Sequence, residues 1–298
     1  MRIHHLNCTT MCPPGGRLVD GRKGFTGPAA LTCHCLLVEG RQGLILVDTG
    51  FGLEDVKHPR ARLHPLLLKG IRPRLNEGST AIRQIERMGF HAEDVRDIVL
   101  THLDCDHAGG LSDFPHAKLH LLWDEYQQAL AQATARDRRR YRPQQWLPET
   151  QWVTYPSLGD GERWFGFECV RDLTGLPPEI LLVPLPGHTL GHAGVAIQNG
   201  SGWLLHAGDA YFYHGEMAPD RYQCTLGLRI AQKLNQTDGY LRWHNMRRLR
   251  ELVRRHGRDV TVFCAHDSLE FELLEDQEKA PERSPLRTFV DTRPPLHA

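Results

Sequence analysis

The segment Thr101-His102-Leu103-Asp104-Cys105-Asp106-His107-Ala108-Gly109-Gly110 sets two imidazoles and two carboxylates within six residues, directly after the apolar run 95–100. Imidazole nitrogen and carboxylate oxygen together suit zinc, iron, manganese or cobalt, whereas calcium and magnesium favour all-oxygen shells. A solvated polar turn accounts for one or two such residues. Four of them, followed by Ala-Gly-Gly that lets backbone approach closely, point to a metal site. Three later segments share the form of an apolar run ending in a short polar tip. They are Leu181-Leu182-Val183-Pro184-Leu185-Pro186-Gly187-His188-Thr189, Trp203-Leu204-Leu205-His206-Ala207-Gly208-Asp209 and Val260-Thr261-Val262-Phe263-Cys264-Ala265-His266. A ligand at a strand end keeps its geometry because packing of the strand has covered the ordering entropy before an ion arrives.

In order and content these segments resemble the metallo-β-lactamase-fold superfamily, whose pattern runs His-x-His-x-Asp-His, Pro-Gly-His-Thr, Gly-Asp and a late His. The resemblance covers most of the chain and leans towards lactonase-type members in motif order and length. It implies an α/β fold, an αββα sandwich of two mixed β-sheets flanked by helices. It also implies two divalent metal ions, zinc first with iron or manganese as alternatives. His102, Asp104 and His188 would hold one, Asp106, His107 and His266 the other, and Asp209 would bridge them. The implied activity is hydrolysis of an ester-like bond by a metal-bridging hydroxide, a lactone ahead of a thioester or phosphoester. Asp106, or a tyrosine just beyond Asp209 (Tyr211 or Tyr213), would serve as the further catalytic group, although a strand tyrosine more commonly packs with a satisfied hydroxyl. Gly43-Leu44-Ile45-Leu46-Val47-Asp48-Thr49-Gly50 resembles the family's second strand, whose Asp supports a ligand rather than binding metal. His192, His206, His214 and the pair His4-His5 read as structural or exposed.

Asp104 departs from the pattern, because most members carry a histidine there. Three carboxylates and a hydroxide neutralise two divalent ions fully, whereas the usual histidine leaves one positive charge. A neutral core is a weaker Lewis acid, and the set His102, Asp104 and His188 is also a two-histidine, one-carboxylate group that welcomes iron or manganese. Iron-dependent redox chemistry on oxygen, nitric oxide or a persulfide is therefore the alternative function.

Ligands spread from residue 102 to residue 266 require nearly the whole chain to assemble one site, so residues 1–298 read as a single domain with a loosely packed tail over 279–298. Strand-like runs fall at 33–38, 44–48, 95–101 and 118–122, then at 170–173, 180–185, 194–197, 203–207 and 260–264. Helical patterns fall at 80–88, 124–135 and 240–256, the last with Leu241, His244, Leu249, Leu252 and Val253 on one face. Three stretches interrupt this plan. Residues 53–78 read as an irregular excursion, 136–148 as a solvated helix end and turn, and 211–242 as a source of cleft residues such as Met217, Tyr222 and Leu226.

Lysine plus arginine and aspartate plus glutamate both number 36, which argues against nucleic acid as a partner despite the arginines at 242–255. No segment has the apolar length of a signal peptide core or a membrane span, so a cytoplasmic protein acting on a small molecule is expected, with its oligomeric state open. The eight cysteines lack the two-residue spacing of structural zinc sites and read as small buried apolar groups.

Overall fold

A computed structural model of the chain describes residues 1–22, 27–146 and 150–279. Six strands, β1 (Arg2–Met11), β2 (Leu31–Gly40), β3 (Gly43–Val47), β4 (Val95–Val99), β5 (Lys118–Leu122) and β6 (Gln151–Tyr155), form one sheet in chain order. The others are β7 (Glu162–Trp164), β8 (Phe167–Asp172), β9 (Ile180–Pro184), β10 (Ala193–Asn199), β11 (Gly202–His206) and β12 (Val260–Phe263). They form a second sheet in the order β12-β11-β10-β9-β8-β7. Both sheets are mixed. β1 to β3 are antiparallel and β3 to β6 parallel, while β11 and β12 are the parallel pair of the second sheet.

Burial on both faces of the strands dictates the layering. Along β2, Leu36 and Val38 point between the sheets, where they meet Val195, Ile197 and Phe263, while Cys35 and Leu37 point outwards against Ala81, Ile82 and Ile85. Successive side chains of a strand face opposite sides, so a strand apolar at every position must be covered twice. The second sheet is covered in the same way by Met246, Leu249 and Leu252 of the helix Gly239–His256. Helix, sheet, sheet and helix follow, which is the αββα arrangement that the family resemblance implies.

Several elements differ from the sequence expectation. β1 was not foreseen, and it buries His4 and His5 beside β2. The 53–78 excursion is not irregular, because it holds three short helices, Leu53–Lys57, Pro59–Arg62 and Pro65–Ile71. The helix Gly239–His256 buries Arg242, Asn245 and Met246, and leaves His244 exposed. Its buried face is turned because Arg242 is bonded to the side chains of Gln232 and Gln236. Its other arginines are largely used within the fold: Arg250 reaches the Glu216 carbonyl, Arg248 lies over the Phe167 ring, and Arg254 and Arg255 pair with Glu251. Residues 280–298, the greater part of the expected tail, lie outside the described residues, as do 147–149.

Candidate metal centre

The seven ligand candidates come from the carboxyl ends of four strands. β4 leads into Thr101 and His102. The short helix Cys105–Ala108 that follows carries Asp106 and His107, and β9, β11 and β12 lead to His188, Asp209 and His266. Two glycines permit these turns. Gly187 sits at φ +142° with its Cα so close to the Arg242 backbone that a Cβ would lie 2.3 Å from the amide nitrogen. Gly208, at φ +52°, leads the chain from β11 into Asp209.

Asp209 lies at the centre, with its two oxygens turned to different histidine pairs. Oδ2 is 3.7 Å from His102 Nε2 and 3.3 Å from His188 Nε2, and Oδ1 is 3.3 Å from His107 Nε2 and 3.0 Å from His266 Nε2. Asp104 Oδ2 adds contacts of 3.4 and 2.9 Å to His102 and His188, while Asp106 Oδ2 is 3.9 and 3.5 Å from His107 and His266. Ligands about 2.1 Å from a tetrahedral ion stand about 3.4 Å from one another, so both sets are spaced for a cation. The chemistry of the donors fits as well. His102 Nε2, His107 Nε2, Asp104 Oδ1 and Asp209 Oδ1 are buried with no hydrogen-bond partner, an arrangement that costs stability unless a cation is shared among them. The Cys33 thiol, which spacing alone did not single out, also lies within 4.8 Å of the Asp106 and His266 donor atoms.

Surrounding groups fix which nitrogen faces the centre. His266 Nδ1 donates to the Thr32 carbonyl at 2.7 Å, so its Nε2 carries a lone pair inwards. His107 Nδ1 faces Asp48 Oδ2 at 2.8 Å, and Asp48 also accepts from the Thr101 amide and hydroxyl at 2.8 and 2.7 Å. With its proton committed to Asp48, the Thr101 oxygen accepts from His102 Nδ1 at 3.0 Å. His192 donates from Nδ1 to the Leu185 carbonyl and accepts the Asp209 amide on Nε2 at 2.9 Å, which makes it the support of the central carboxylate. Asp48 holds φ +53°, a left-handed conformation tolerated here because three hydrogen bonds converge on its side chain.

A family model described as the metallo-beta-lactamase superfamily matches residues 29–266. The chain belongs to that superfamily. It is a metal-dependent hydrolase, 41% identical over 277 residues to a probable metallo-hydrolase of Mycobacterium tuberculosis, covering 93% of this chain and 83% of that one. An N-acyl homoserine lactonase of Bacillus cereus is 29% identical over 184 residues, 61% of this chain and 65% of its own length. Among solved structures, the Bacillus thuringiensis enzyme AiiA with N-decanoyl-L-homoserine bound shares the fold. It has a TM-score of 0.67 and 22% identity, and the match covers 97% of both chains.

The superfamily motifs do not include the charged residue beside Asp104. Arg140 ends the helix Ala135–Arg140, which starts with a reciprocal cap between Thr134 and Asp137. Its side chain is only 6% exposed and places Nη1 3.1 Å from Asp104 Oδ2, while Nη2 donates to the Asn235 carbonyl. The stretch expected to be a solvated helix end therefore delivers a buried cation to a ligand candidate. Burial pushes the Asp104 carboxyl up, but Arg140 first and then His102 pull it well below the usual range. At Asp209 burial likewise pushes upwards and is overcome by His266 and His107. His188 is pushed down to about 4 by burial, with Arg140 as the next contributor.

A cleft of about 380 Å³ opens beside His266. Leu31, Phe212, Leu228 and Leu269 supply its apolar wall, and Tyr213, His214, Asp267 and Arg22 its polar rim. Of the two tyrosines singled out from the sequence, Tyr211 is not brought to this space. It is fully buried in the core of the second sheet and donates its hydroxyl to Glu270 at 2.9 Å. Tyr213 does line the cleft. Between them Phe212 packs on His266, ring centroids 5.1 Å apart, and lies 5.9 Å from His188. His214, expected to be structural or exposed, is a cleft residue whose Nδ1 contacts Asp267 Oδ2 at 2.8 Å. Of the expected cleft residues in 211–242, Met217 is core and Leu226 faces solvent.

Proposed function

We propose that the cluster holds two divalent cations, zinc first with iron or manganese as alternatives, and that the enzyme hydrolyses an ester-like bond in a small molecule, a lactone ahead of a thioester or phosphoester. The observation that carries this reading is the division of the Asp209 carboxylate between two histidine pairs. When bound, such a pair of cations supplies a water-derived hydroxide as nucleophile and stabilises the charge that develops on the attacked carbonyl.

The chain's own residues do the rest. His102, Asp104 and His188 form one set and Asp106, His107 and His266 the other, with His102, His107 and His266 held through Nδ1 so that Nε2 faces inwards. Asp106 is one of two partly accessible carboxylates of the cluster, its side chain 13% exposed, and unlike Asp104 it has no arginine beside it, so it is the one placed to accept a proton and return it to the leaving oxygen. Phe212 excludes water from the face of His266, and Tyr213 offers a hydroxyl at the rim of the cleft. The cleft volume suits a small molecule. Its arginine, Arg22, is paired with Glu272 at 2.5 Å, so among the described residues the rim offers no unbalanced arginine or lysine for a polyanionic substrate. The relatives named as N-acyl homoserine lactonases support a lactone with an apolar tail on the Leu31, Leu228 and Leu269 wall. The iron-redox alternative rests on Asp104, and the Arg140 guanidinium beside that carboxylate balances its charge, which supports the hydrolytic reading.

Zinc-loaded and iron-loaded protein assayed on lactones of increasing acyl length, on thioesters and on phosphodiesters tests the reading. The highest kcat/KM is expected on lactones with the zinc form, and with Asp106→Asn that activity should collapse. Faster turnover of phosphodiesters, or redox activity confined to the iron form, would overturn it.

A further inference from the structure

The sequence motifs make Asp104 an added negative charge in the first ligand set, yet the fold answers it. We propose that Asp104 and Arg140 act as one unit, a carboxylate ligand with a built-in counter-cation, which returns to the first metal position the charge balance that the superfamily's usual histidine gives. Arg140 is then a positioning residue that acts through Asp104.

Three observations lead there. Arg140 is buried and directed at the one ligand candidate that departs from the pattern, with Nη1 3.1 Å from Asp104 Oδ2. Its other nitrogen is tied to the Asn235 carbonyl, the last residue of the helix Leu226–Asn235, where the unpaired carbonyls attract a cation. The neighbouring Arg136 donates to the Gln236 carbonyl at 2.5 Å, so two successive turns of one helix are anchored to the same helix end and the guanidinium is held in place. Asp104 is held in turn from the backbone side, because the amide of Leu103 donates to the buried Glu125 carboxylate at 2.9 Å. A buried arginine that lost its carboxylate would be an uncompensated charge beside a dication, which is costly, whereas removing both members of the pair is tolerated. A histidine at position 104 and an arginine at position 140 are thus incompatible, and each residue explains the presence of the other.

The inference rests on the metal-centre reading above, and the test separates the two. Zinc affinity and stoichiometry are measured on the full chain by competition with a chromogenic chelator, together with the rise in Tm on zinc addition and the visible spectrum of the cobalt-substituted form. For Asp104→His, zinc binding at one position should weaken at least about tenfold, and Asp104→His combined with Arg140→Met should regain most of it, with a cobalt spectrum close to the parent. For Arg140→Met alone, the zinc-free protein loses the counter-cation of Asp104, so the zinc-induced rise in Tm should exceed that of the parent, and Arg140→Lys should lie between. If Asp104→His fails to fold, the Arg140→Met and Arg140→Lys series decides. An Asp104→His protein that binds zinc as the parent does, a double variant no better than the single, or an unchanged zinc-induced Tm rise in Arg140→Met would overturn the pairing. Failure of the parent chain itself to bind zinc would instead overturn the metal-centre reading.

Discussion

The two halves of the cluster reach similar ligand spacing by different means. The half built on Asp106, His107 and His266 is closed by the strand tips themselves: Asp48, at the end of β3, orients His107, and the Thr32 carbonyl of β2 orients His266. The half built on His102, Asp104 and His188 borrows a residue from outside the sheets, Arg140, at the end of a six-residue helix. Each half also places a buried group against a polar partner within 3.1 Å, His107 on the Asp48 carboxylate and Asp104 on the Arg140 guanidinium. On the proposed pairing, a change of ligand type is accommodated by a distant segment while the frame of strand ends is left as it is.

Substitutions that act on one half and spare the other sharpen this comparison. Asp106→Asn should lower kcat by about 10³-fold or more, as loss of a group aimed at the developing charge does, and metal analysis should find one ion lost per chain while the first half keeps its own. Asp48→Asn removes the partner of His107 without touching a cation. It should weaken binding to the second half by about 10–100-fold, read by chelator competition, and disturb the first half less, because there Asp48 acts only through the Thr101 hydroxyl that faces His102. His192→Leu, which strips the support from the Asp209 amide, should instead weaken both halves together, by about tenfold each; an effect on one alone would break the symmetry assigned to Asp209.

The smallest effect lies away from the cluster. His4 on β1 is held above its ordinary pKa by Glu278 first, against the opposing effect of burial, and then by Glu39, at 2.7 and 2.8 Å. A histidine whose folded pKa is raised contributes stability that is full below its unfolded pKa and fades as pH rises through the folded value. His4→Gln should therefore lower Tm by about 3 °C at pH 6, for a loss near 1 kcal/mol, and by almost nothing at pH 9. A deficit that grows with pH would show that the clasp is not ionic.

The placement of this site in the sequence depended on how local each signal is. Strand tips carrying His102, Asp106, His107, His188, Asp209 and His266 are readable because an apolar run and its polar end are contiguous in the chain. Arg140 was not readable, since four of the five residues 138–142 are arginines and only tertiary packing decides which is drawn inwards. Phe212 was overlooked in favour of its tyrosine neighbours for a related reason. The chain beyond Asp209 turns consecutive side chains to different sides, so identity of type says little without the direction of each. The helices of 53–78 are four to seven residues long, too short for a 3.6-residue period to show. β1 is hidden in the sequence because His4, His5 and Asn7 interrupt its apolar pattern, and the burial of the two histidines depends on partners at Glu39, Glu278 and His34 far along the chain.

Metal content per chain, determined for the purified parent and for Asp209→Ala side by side, addresses the shared carboxylate most directly. Two equivalents in the parent and loss of both, or of one with the other weakened, in the variant is the predicted result. A parent that takes up a single ion, or an Asp209→Ala chain that keeps two with undiminished affinity, would contradict a centre divided across that one side chain.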